Sequence, residues 1–338
     1  MDEPRRILIV GGVAGGASCA ARLRRLSETA HIQVFDRGPH VSFANCGLPY
    51  YVGDVIHNEQ DLLVATPELF TDRFAIDIHC RTEVVAIDRH RKVATVRNLE
   101  TGLERDEPYD ALVLATGAAA IRPDLPGIDH PGIFAVRTIP DSQRLRGWLE
   151  DKSARHAVVV GGGFIGLEMT ENLIRRGVSV TLIERLPHLM PALDAEMATP
   201  LHCRLREEGV DLRLQASVTS FEADGDRVIV HTESPNQSGT DQADTDHITA
   251  DLVVLGIGVR PETALARSCG LELGELGGLR VDEQLRTNDA SIWAVGDVVE
   301  NHHIVTGRWC LMPLAGPANR QGRVAADIAL EAGHEAFA

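Results

Sequence analysis

Residues 156–177 read HAVVVGGGFIGLEMTENLIRRG, and the predicted fold class follows from this segment. Its apolar run predicts a buried strand, its glycines predict a tight turn, and the residues after the turn follow helical spacing. The same pattern occurs at residues 5–26 as RRILIVGGVAGGASCAARLRRL. Each copy is followed by a strand-like run that ends in an acid, IQVFD at Asp36 and VTLIE at Glu184. The chain therefore contains two similar β-α-β units.

A second pair of similar segments completes each unit. DALVLATGAAAIRP at 110–123 resembles DLVVLGIGVRP at 251–261, and the stretch from residue 275 onward reads as the remainder of the first unit. We therefore predict an α/β protein with two tandem Rossmann-like domains, the second inserted in the first. Polar residues 233–247 predict a surface loop. The predicted domain boundaries are 1–118 with 275–338 for the first domain and 119–274 for the second.

Composition excludes several classes of protein. The chain has 338 residues, enough for two domains, and its 44% hydrophobic and 24% charged residues are typical of a soluble globular protein. A net charge of -16 argues against a nucleic-acid partner, because a basic face would be expected. No apolar run approaches the length of a membrane span, so no membrane partner is predicted. Six cysteines without a CxxC pair predict free thiols in a reducing cytoplasm and no metal site.

The second glycine turn carries the stronger signal for a nucleotide. GGGFIG supplies Gly161, Gly163 and Gly166 at the spacing that lets a backbone approach a pyrophosphate at a helix N-terminus. Glu184 lies where an acid binds ribose hydroxyls, and it would repel a 2′-phosphate. NADH is therefore the predicted ligand, although Arg185 could soften this preference and leaves NADPH as the alternative. A glycine-rich connection without a ligand is the competing interpretation.

The first glycine turn is less regular. GGVAGG supplies Gly11 and Gly16, but Val13 occupies the place of the middle glycine. The complete β-α-β pattern and Asp36 nevertheless support a second dinucleotide site. Two such sites suggest one flavin and one nicotinamide nucleotide, because hydride transfer between these two cofactors is a natural use of the arrangement.

Taken in order, these motifs resemble the pyridine nucleotide-disulfide oxidoreductases, flavoproteins with tandem FAD and NAD(P) domains. The resemblance extends over residues 5–330 and rests on GGVAGG, ATG, GGGFIGLE, GIGVRP and AVGD. It implies FAD and NADH as cofactors. The cofactor-binding residues that it implies, together with those of the two turns, are Gly11, Gly12, Gly15, Gly16, Asp36, Arg37, Ala115, Thr116, Gly117, Gly161, Gly163, Phe164, Ile165, Gly166, Glu168, Glu184, Arg185, Gly256, Gly258, Gly296, Asp297, Leu314 and Ala315.

The resemblance also implies individual roles. Asp297 would bond the ribityl chain of FAD, and PLAGPANRQGR would present a helix N-terminus to the flavin, where negative charge develops on reduction. Phe164 matches an aromatic residue that covers the flavin until nicotinamide displaces it, or it packs as a core aromatic behind the turn. Glu168 matches an acid near the nicotinamide, or it is an ordinary carboxylate in the first helical turn.

The segment SFANCGLPYY at 42–51 selects a branch of the family. Two-cysteine members carry a CxxxxC pair, whereas Cys46 stands singly, as in coenzyme A-disulfide reductases, NADH peroxidases and water-forming NADH oxidases. Peroxidase and oxidase members have a histidine where this chain has Ala14, and Asn45 also resembles the disulfide reductases. A free cysteine is commonly a small buried hydrophobe, and we expect this of the other five. Cys46 is the predicted nucleophile, with Asn45 and Ser42 completing the catalytic set.

The implied reaction passes electrons from NADH through FAD to Cys46, which attacks coenzyme A disulfide or a related persulfide. Cys46 begins a predicted helix with Pro49 in its first turn. Arg22 is the candidate for coenzyme A phosphates, or it is a solvated charge. Two alternatives remain: an NADH oxidase or peroxidase that cycles Cys46 through a sulfenic acid, and a flavin-binding fragment without turnover.

The family continues beyond the FAD domain into a domain that forms a homodimer. This sequence ends at ALEAGHEAFA, so we expect the C-terminal dimerisation domain to be absent. Flavin binding should depend less on that domain, because both parts of the flavin fold are present in the sequence.

Overall fold

A computed structural model describes residues 4–235 and 244–331. The chain separates into two compact units. The first contains the residues up to Phe43, Leu63–Ala119 and the residues from Arg260 onward, and the second contains Ala44–Leu62 and Ala120–Val259. This division groups residues 44–62 with the second unit and residues 260–274 with the first. The predicted domain boundaries place residues 44–62 in the first domain and residues 260–274 in the second. Those boundaries remain a prediction.

The described residues form twenty strands, eight α-helices and three short 3₁₀ turns. The strands are β1 Arg6–Val10, β2 His31–Phe35, β3 Asp77–His79, β4 Thr82–Asp88, β5 Val93–Asn98, β6 Glu104–Pro108, β7 Ala111–Leu114, β8 Ala118–Ala120, β9 Ile133–Phe134, β10 His156–Val160, β11 Ser179–Glu184, β12 Asp211–Leu214, β13 Ser217–Asp224, β14 Arg227–Ser234, β15 Asp244–Ala250, β16 Leu252–Leu255, β17 Val259–Pro261, β18 Ile292–Ala294, β19 Glu300–His302 and β20 Trp309–Leu311. The helices are α1 Ala14–Leu26, α2 Leu48–Val52, α3 Pro67–Phe74, α4 Ile139–Asp151, α5 Phe164–Arg175, α6 Ala195–Glu207, α7 Ala264–Ser268 and α8 Ala315–Glu331. The 3₁₀ turns are Asn45–Gly47, Glu59–Leu62 and Gly296–Val298.

The first unit is built on a five-stranded parallel sheet in the order β18-β7-β1-β2-β3. Apart from the exposed Arg6 at the start of β1, its central strands β1 and β7 are apolar and buried, as expected when a parallel sheet is covered on both faces. One core includes Ile7, Leu23, Trp293 and Ala325, which places α1 and α8 against the sheet. An antiparallel sheet β4-β5-β6 and the hairpin β19-β20 complete the unit.

The second unit repeats this plan. Its parallel sheet has the order β12-β11-β10-β16-β9, so β10 lies between β11 and β16 as β1 lies between β2 and β7. An antiparallel sheet β13-β14-β15 corresponds to β4-β5-β6. The predicted α/β class, the internal repeat and the insertion of one Rossmann-like fold in the other are therefore confirmed.

The predicted polar loop at 233–247 is shorter than expected at both ends. Strand β14 extends to Ser234 and β15 begins at Asp244, because these residues pair with each other across the hairpin. The middle of the predicted loop lies outside the described residues. No helix in the described part of the chain has the length and apolar character needed to cross a lipid bilayer.

Helices α1 and α8 of the first unit approach each other closely through glycine. A Cβ added at Gly322 would lie 2.2 Å from the carbonyl oxygen of Gly15 in α1. A Cβ at Gly316, in the first turn of the same helix, would meet no described atom within 4 Å. Alanine substitutions at Gly322 and Gly316 therefore separate the effect of the contact between the helices from the effect of helix propensity.

We expect Gly322→Ala to destabilise the first unit, because overpacking a close contact costs about 1–3 kcal/mol. Gly316→Ala should leave stability unchanged or raise it, because alanine is the better helix former. Thermal and urea unfolding of the two variants measures the difference. Equal melting temperatures for both variants would show that the helix contact is not tight.

Candidate nucleotide and thiol sites

Both glycine turns begin with a residue that only glycine accommodates. Gly11 has φ of 98° and Gly161 has φ of 105°, a region that disfavours residues with a Cβ. A Cβ at Gly11 would lie 2.2 Å from the carbonyl oxygen of Ala115, and one at Gly161 would lie 2.5 Å from that of Gly256. The ATG and GIG segments are thus part of the turns, because their backbones close against the first glycines.

The last glycine of each turn lets the following helix rest on the turn itself. A Cβ at Gly16 would lie 1.8 Å from the carbonyl oxygen of Gly11, and one at Gly166 would lie 1.9 Å from that of Gly161. No side chain fits in either place. Helices α1 and α5 are therefore placed with their first turns directly above the strand ends of β1 and β10.

The middle position differs between the two turns. Gly163 has φ of −84°, which any residue can adopt, and no described atom lies within 4 Å of a Cβ built there. Protein packing therefore does not explain this glycine, whereas a close approach of the turn's backbone to a pyrophosphate would explain it. Val13 occupies the corresponding place before α1. The second turn has the more open approach, in agreement with the stronger sequence motif.

The acids at the ends of β2 and β11 hold the turns. One oxygen of Asp36 accepts the amide hydrogen of Gly12 at 2.7 Å, and one oxygen of Glu184 accepts that of Gly162 at 2.6 Å. In each acid the other oxygen accepts the amide two residues further along the chain. Glu184 is 8% exposed. A carboxylate can accept about four hydrogen bonds, so Glu184 keeps capacity for ribose hydroxyls.

Neither α1 nor α5 is capped by a side chain of the described residues, and neither has an acid in its first turn. Two other helices of this chain are capped in the usual way. Thr66 accepts from the start of α3, and Thr138 with Asp141 forms a capping box on α4. The first amides of α1 and α5 are thus available to an anion. Both turns fit the pyrophosphate of a dinucleotide, and the FAD and NAD(P)H predictions match what the residues can hold.

A hydrogen-bond chain fixes the loop that carries Asp297. The amide of Gly296, which has φ of 80°, donates to Gln321 Oε1 at 2.7 Å. Gln321 donates in turn to Asn301 Oδ1 at 2.6 Å. The sequence analysis did not identify the side chains of Gln321 and Asn301 as site residues. The available signal was that Gln321 lies within the PLAGPANRQGR segment, which predicts a helix. These two hydrogen bonds tie the backbone beside Asp297 to α8, while the ribityl role of Asp297 remains a prediction.

The other predicted flavin-binding residues of the first unit have clear partners. Thr116 Oγ1 donates to the carbonyl oxygen of Glu262 at 2.8 Å, and the side chain of Glu262 lies 3.0 Å from Arg37. Gly117 has φ of 70°. Helix α8 begins at Ala315, directly after the exposed Leu314, as predicted for a helix N-terminus. Sequence reasoning missed Glu262, whose position directly after GIGVRP was the available signal.

Helix α5 presents the predicted nicotinamide residues. Phe164 is 65% exposed, so the interpretation of a core aromatic behind the turn is wrong. Its place over a flavin remains a prediction. Glu168 is half-buried one turn further on, and burial together with the charge of Glu171 raises the pKa of its carboxyl. Ile165 is half-buried, and Arg185 beyond β11 is exposed.

The predicted nucleophile lies in the 3₁₀ turn Asn45–Gly47, directly before the five-residue helix α2 with Pro49 near its start. Cys46 is exposed. The amide oxygen of Asn45 is buried and has no hydrogen-bond partner among the described residues. A buried polar atom without a partner is costly, which suggests that a ligand completes it. The turn therefore shows an exposed thiol beside an unsatisfied acceptor.

The other cysteines only partly follow expectation. Burial raises the pKa of Cys19 to about 12 and that of Cys80 to about 11, as expected for inert core thiols. Cys203 is exposed, so its assignment to the core is wrong. It lies on a helix whose only buried residue is Ala198, and its side chain faces away from the core. Exposure alone therefore does not distinguish Cys46.

Two predicted substrate residues are engaged within the first unit. Ser42 has φ of 47°, and its amide donates to the carbonyl oxygen of Gly12 at 2.8 Å. A non-glycine residue in this region stores strain of the kind often found at functional sites. Arg22 forms an ion pair at 2.7 Å with Asp327 of α8, both side chains being partly exposed. The predicted role of Arg22 with phosphates remains a prediction, and any phosphate would compete with this carboxylate.

Comparison with known proteins matches these features to one family. The family model described as pyridine nucleotide-disulphide oxidoreductase covers residues 5–322. An NAD(P)H sulfur oxidoreductase (CoA-dependent) of Pyrococcus abyssi is 34% identical over 95% of this chain and 68% of its own length. A coenzyme A disulfide reductase of Staphylococcus haemolyticus is 32% identical over 96% of this chain and 70% of its own length.

A solved structure shows the same fold. The reduced CoADR-RHD protein of Bacillus anthracis superposes with a TM-score of 0.91 and 45% identity. The match covers 98% of this chain and 57% of that protein. This chain therefore spans between 57% and 70% of the length of these three relatives.

The open space at Gly163 gives a test of the second turn. We expect Gly163→Ala to bind NADH at least about tenfold more weakly, because the added methyl occupies the ligand's approach. Its unfolding free energy should stay close to that of the wild type. Gly147→Ala on α4, where a Cβ also meets no described atom within 4 Å, is the matched control. Calorimetric titration with NADH checks the result, and unchanged affinity in Gly163→Ala would contradict the site.

The raised pKa of Glu168 predicts a pH dependence of stability. A group with a raised folded-state pKa contributes stability below its ordinary value of 4.5 and loses it as the pH rises through the folded value. Glu168→Gln should therefore gain more unfolding free energy near neutral pH than at pH 4.5. Urea unfolding at the two pH values measures this. Glu171→Gln, which removes the smaller cause, should reproduce part of the effect, and an equal gain at both pH values would refute the shift.

Proposed function

Because this chain belongs to the pyridine nucleotide-disulphide oxidoreductase family, we propose that it is an FAD-dependent NAD(P)H:disulfide oxidoreductase acting through Cys46 alone. Its substrate is coenzyme A disulfide or a related low-molecular-weight disulfide or persulfide. The observation that carries the proposal is the exposed Cys46 in a turn that offers no second cysteine. With a single protein thiol at the site, the substrate supplies the other sulfur.

Two relatives support the substrate class. The names of the Pyrococcus and Staphylococcus proteins refer to coenzyme A-dependent sulfur reduction and to coenzyme A disulfide. Ala14, at the position where peroxidase and oxidase members have a histidine, supports the disulfide over peroxide or oxygen. The buried amide oxygen of Asn45 can accept a hydrogen bond from the substrate and so orient it beside the thiol.

The two turns divide the cofactors between the units. The turn at Gly11 with Asp36 would hold the ADP half of FAD, and the turn at Gly161 with Glu184 would hold the nicotinamide nucleotide. A bound flavin would supply two-electron transfer between NADH and sulfur. Buried Glu184 would repel a 2′-phosphate, which favours NADH over NADPH.

One turnover at Cys46 consumes one substrate disulfide. The thiolate sulfur attacks one substrate sulfur, the substrate S–S bond breaks, and one thiolate leaves. A mixed disulfide between Cys46 and the other half remains. Two electrons from NADH then cleave this bond, which regenerates the Cys46 thiolate and releases the second thiol. The sum is one NADH, one proton and one disulfide converted to NAD⁺ and two thiols.

The proposal predicts that Cys46→Ser loses NADH-dependent reduction of coenzyme A disulfide, by at least about a hundredfold. Flavin reduction by NADH should persist, because the nucleotide turns are intact. Anaerobic NADH consumption with coenzyme A disulfide, and flavin absorbance under the same conditions, measure the two effects. Cys203→Ser, which removes the other exposed thiol, should retain wild-type activity.

The same assay separates the alternative functions. Faster NADH consumption with peroxide or with air than with coenzyme A disulfide would favour the sulfenic acid alternative. A protein that binds flavin but consumes no NADH with any acceptor would be the non-turnover fragment. Full disulfide reductase activity in Cys46→Ser would disprove the role of the thiol.

A further inference from the structure

The segment that carries Cys46 is held by one arginine of the second unit. Arg146 projects from α4, and its Nη1 donates to the carbonyl oxygen of Tyr51 at 3.0 Å. Its Nη2 lies 2.6 Å from a carboxylate oxygen of Asp54, and its Nε lies 3.3 Å from Glu150. Its side chain is only 20% exposed. One guanidinium therefore uses three different nitrogens on three partners, two of which lie just downstream of Cys46.

The contact with Tyr51 closes the end of helix α2. The last carbonyls of a helix lack partners within it, and a cation there also faces the negative end of the helix dipole. The guanidinium carbon lies 4.9 Å from the centre of the Tyr51 ring, which adds a cation–π contact. Helix α2 has only five residues, so one lost contact affects all of it.

Asp54 adds a second fixed point. It has φ of 59°, so the chain turns sharply there. Hydrogen bonds from His57 and Arg146 hold the pKa of the Asp54 carboxyl below its usual range, which keeps it charged as a partner. The amides of Gly53 and Val55 return to the carbonyls of Pro49 and Tyr50 at 2.9 Å. Helix α2 and the turn after it thus form one hydrogen-bonded block.

The block is also confined by α5. A Cβ at Gly53 would lie 2.1 Å from Oδ1 of Asn172, a fully buried side chain. Asn172 is itself held, because its Nδ2 donates to the carbonyl oxygen of Glu168 at 2.8 Å. The segment that contains helix α2 therefore packs against α5 through a close steric contact at Gly53. Its polar contacts with α4 are those of Arg146 with Tyr51 and Asp54.

From these contacts we propose that Arg146 is the positioning residue for Cys46. It holds α2 against α4 and so sets the place of the Asn45–Gly47 turn that presents the thiol. The Gly47 amide, which donates to the carbonyl oxygen of Ala44 at 2.9 Å, reports on that turn. The catalytic part of this inference rests on the proposed function, whereas the positioning part concerns the second unit alone.

Hydrogen exchange tests the positioning. In Arg146→Ala, amides in peptides covering residues 44–56 should exchange at least about tenfold faster, because the loss of about 1.4 kcal/mol of local stability has that effect. Peptides from β10 and β11 should be unchanged. Arg144→Ala is the matched control, since Arg144 lies on the same helix and pairs at 2.7 Å with Asp141, with its side chain 71% exposed. Lysine retains the charge but cannot reach both partners, so Arg146→Lys should give an intermediate result.

Kinetics of the FAD-loaded protein test the consequence for the thiol. In Arg146→Ala, kcat for coenzyme A disulfide should fall roughly tenfold, since small displacements of a reacting group reduce rates strongly. The KM for NADH should not change. NADH-dependent reduction of ferricyanide, which needs no thiol, should also stay at the wild-type rate. A purely structural role would lower both activities together.

The outcomes separate this inference from the proposed function. Unchanged exchange at residues 44–56 in Arg146→Ala, or faster exchange throughout the second unit, would overturn the positioning role. A wild-type protein that reduces no disulfide would refute the proposed function, and the exchange experiment would still decide the role of Arg146. Equal losses in disulfide and ferricyanide reduction would show that Arg146 does not act through Cys46.

Discussion

In both units the first turn of a helix lies directly on the carbonyl oxygen of the glycine that begins the preceding turn. A Cβ built at Gly16 or Gly166 would lie less than 2 Å from that oxygen, so neither position can hold a side chain. This contact determines how α1 and α5 leave their strands, and therefore where the first amides of each helix point. The carboxylates of Asp36 and Glu184 secure the same turns from the neighbouring strand. No side chain of the described residues caps either helix, so these first amides are free of side-chain partners in both units.

The two turns share this frame but are not equivalent. Glycines that the frame requires have their Cβ positions blocked by backbone, whereas Gly163 has open space around it. Packing therefore requires glycine at the first and last positions of each turn but not at position 163. Val13 shows that the first turn tolerates a side chain at the same place.

The thiol segment depends on contacts of another kind. Cys46 lies in a turn and a short helix that could not be stable alone, since a single helical turn costs more entropy than its hydrogen bonds return. Two helices of the second unit contact this segment: Arg146 of α4 donates to the carbonyl oxygen of Tyr51, and Asn172 of α5 packs closely against Gly53. Asn172 lies on α5, the helix that also carries the predicted nicotinamide residues Phe164 and Glu168, and its side chain donates to the carbonyl oxygen of Glu168. The same helix therefore contacts the thiol segment.

The amino-acid sequence was enough to predict the repeated β-α-β plan, the glycine turns, the acids that follow them and the isolated cysteine at position 46. These features are local: each follows from hydrophobic periodicity or from the steric demands of residues close together in the chain. Two contacts became visible only in the three-dimensional structure: Gln321 accepts the amide hydrogen of Gly296, and Arg146 donates to the carbonyl oxygen of Tyr51 after Cys46. It also showed Phe164 and Cys203 to be exposed. Such contacts join residues far apart in sequence, and an arginine or glutamine in a helix has the same local pattern whether it faces solvent or a partner.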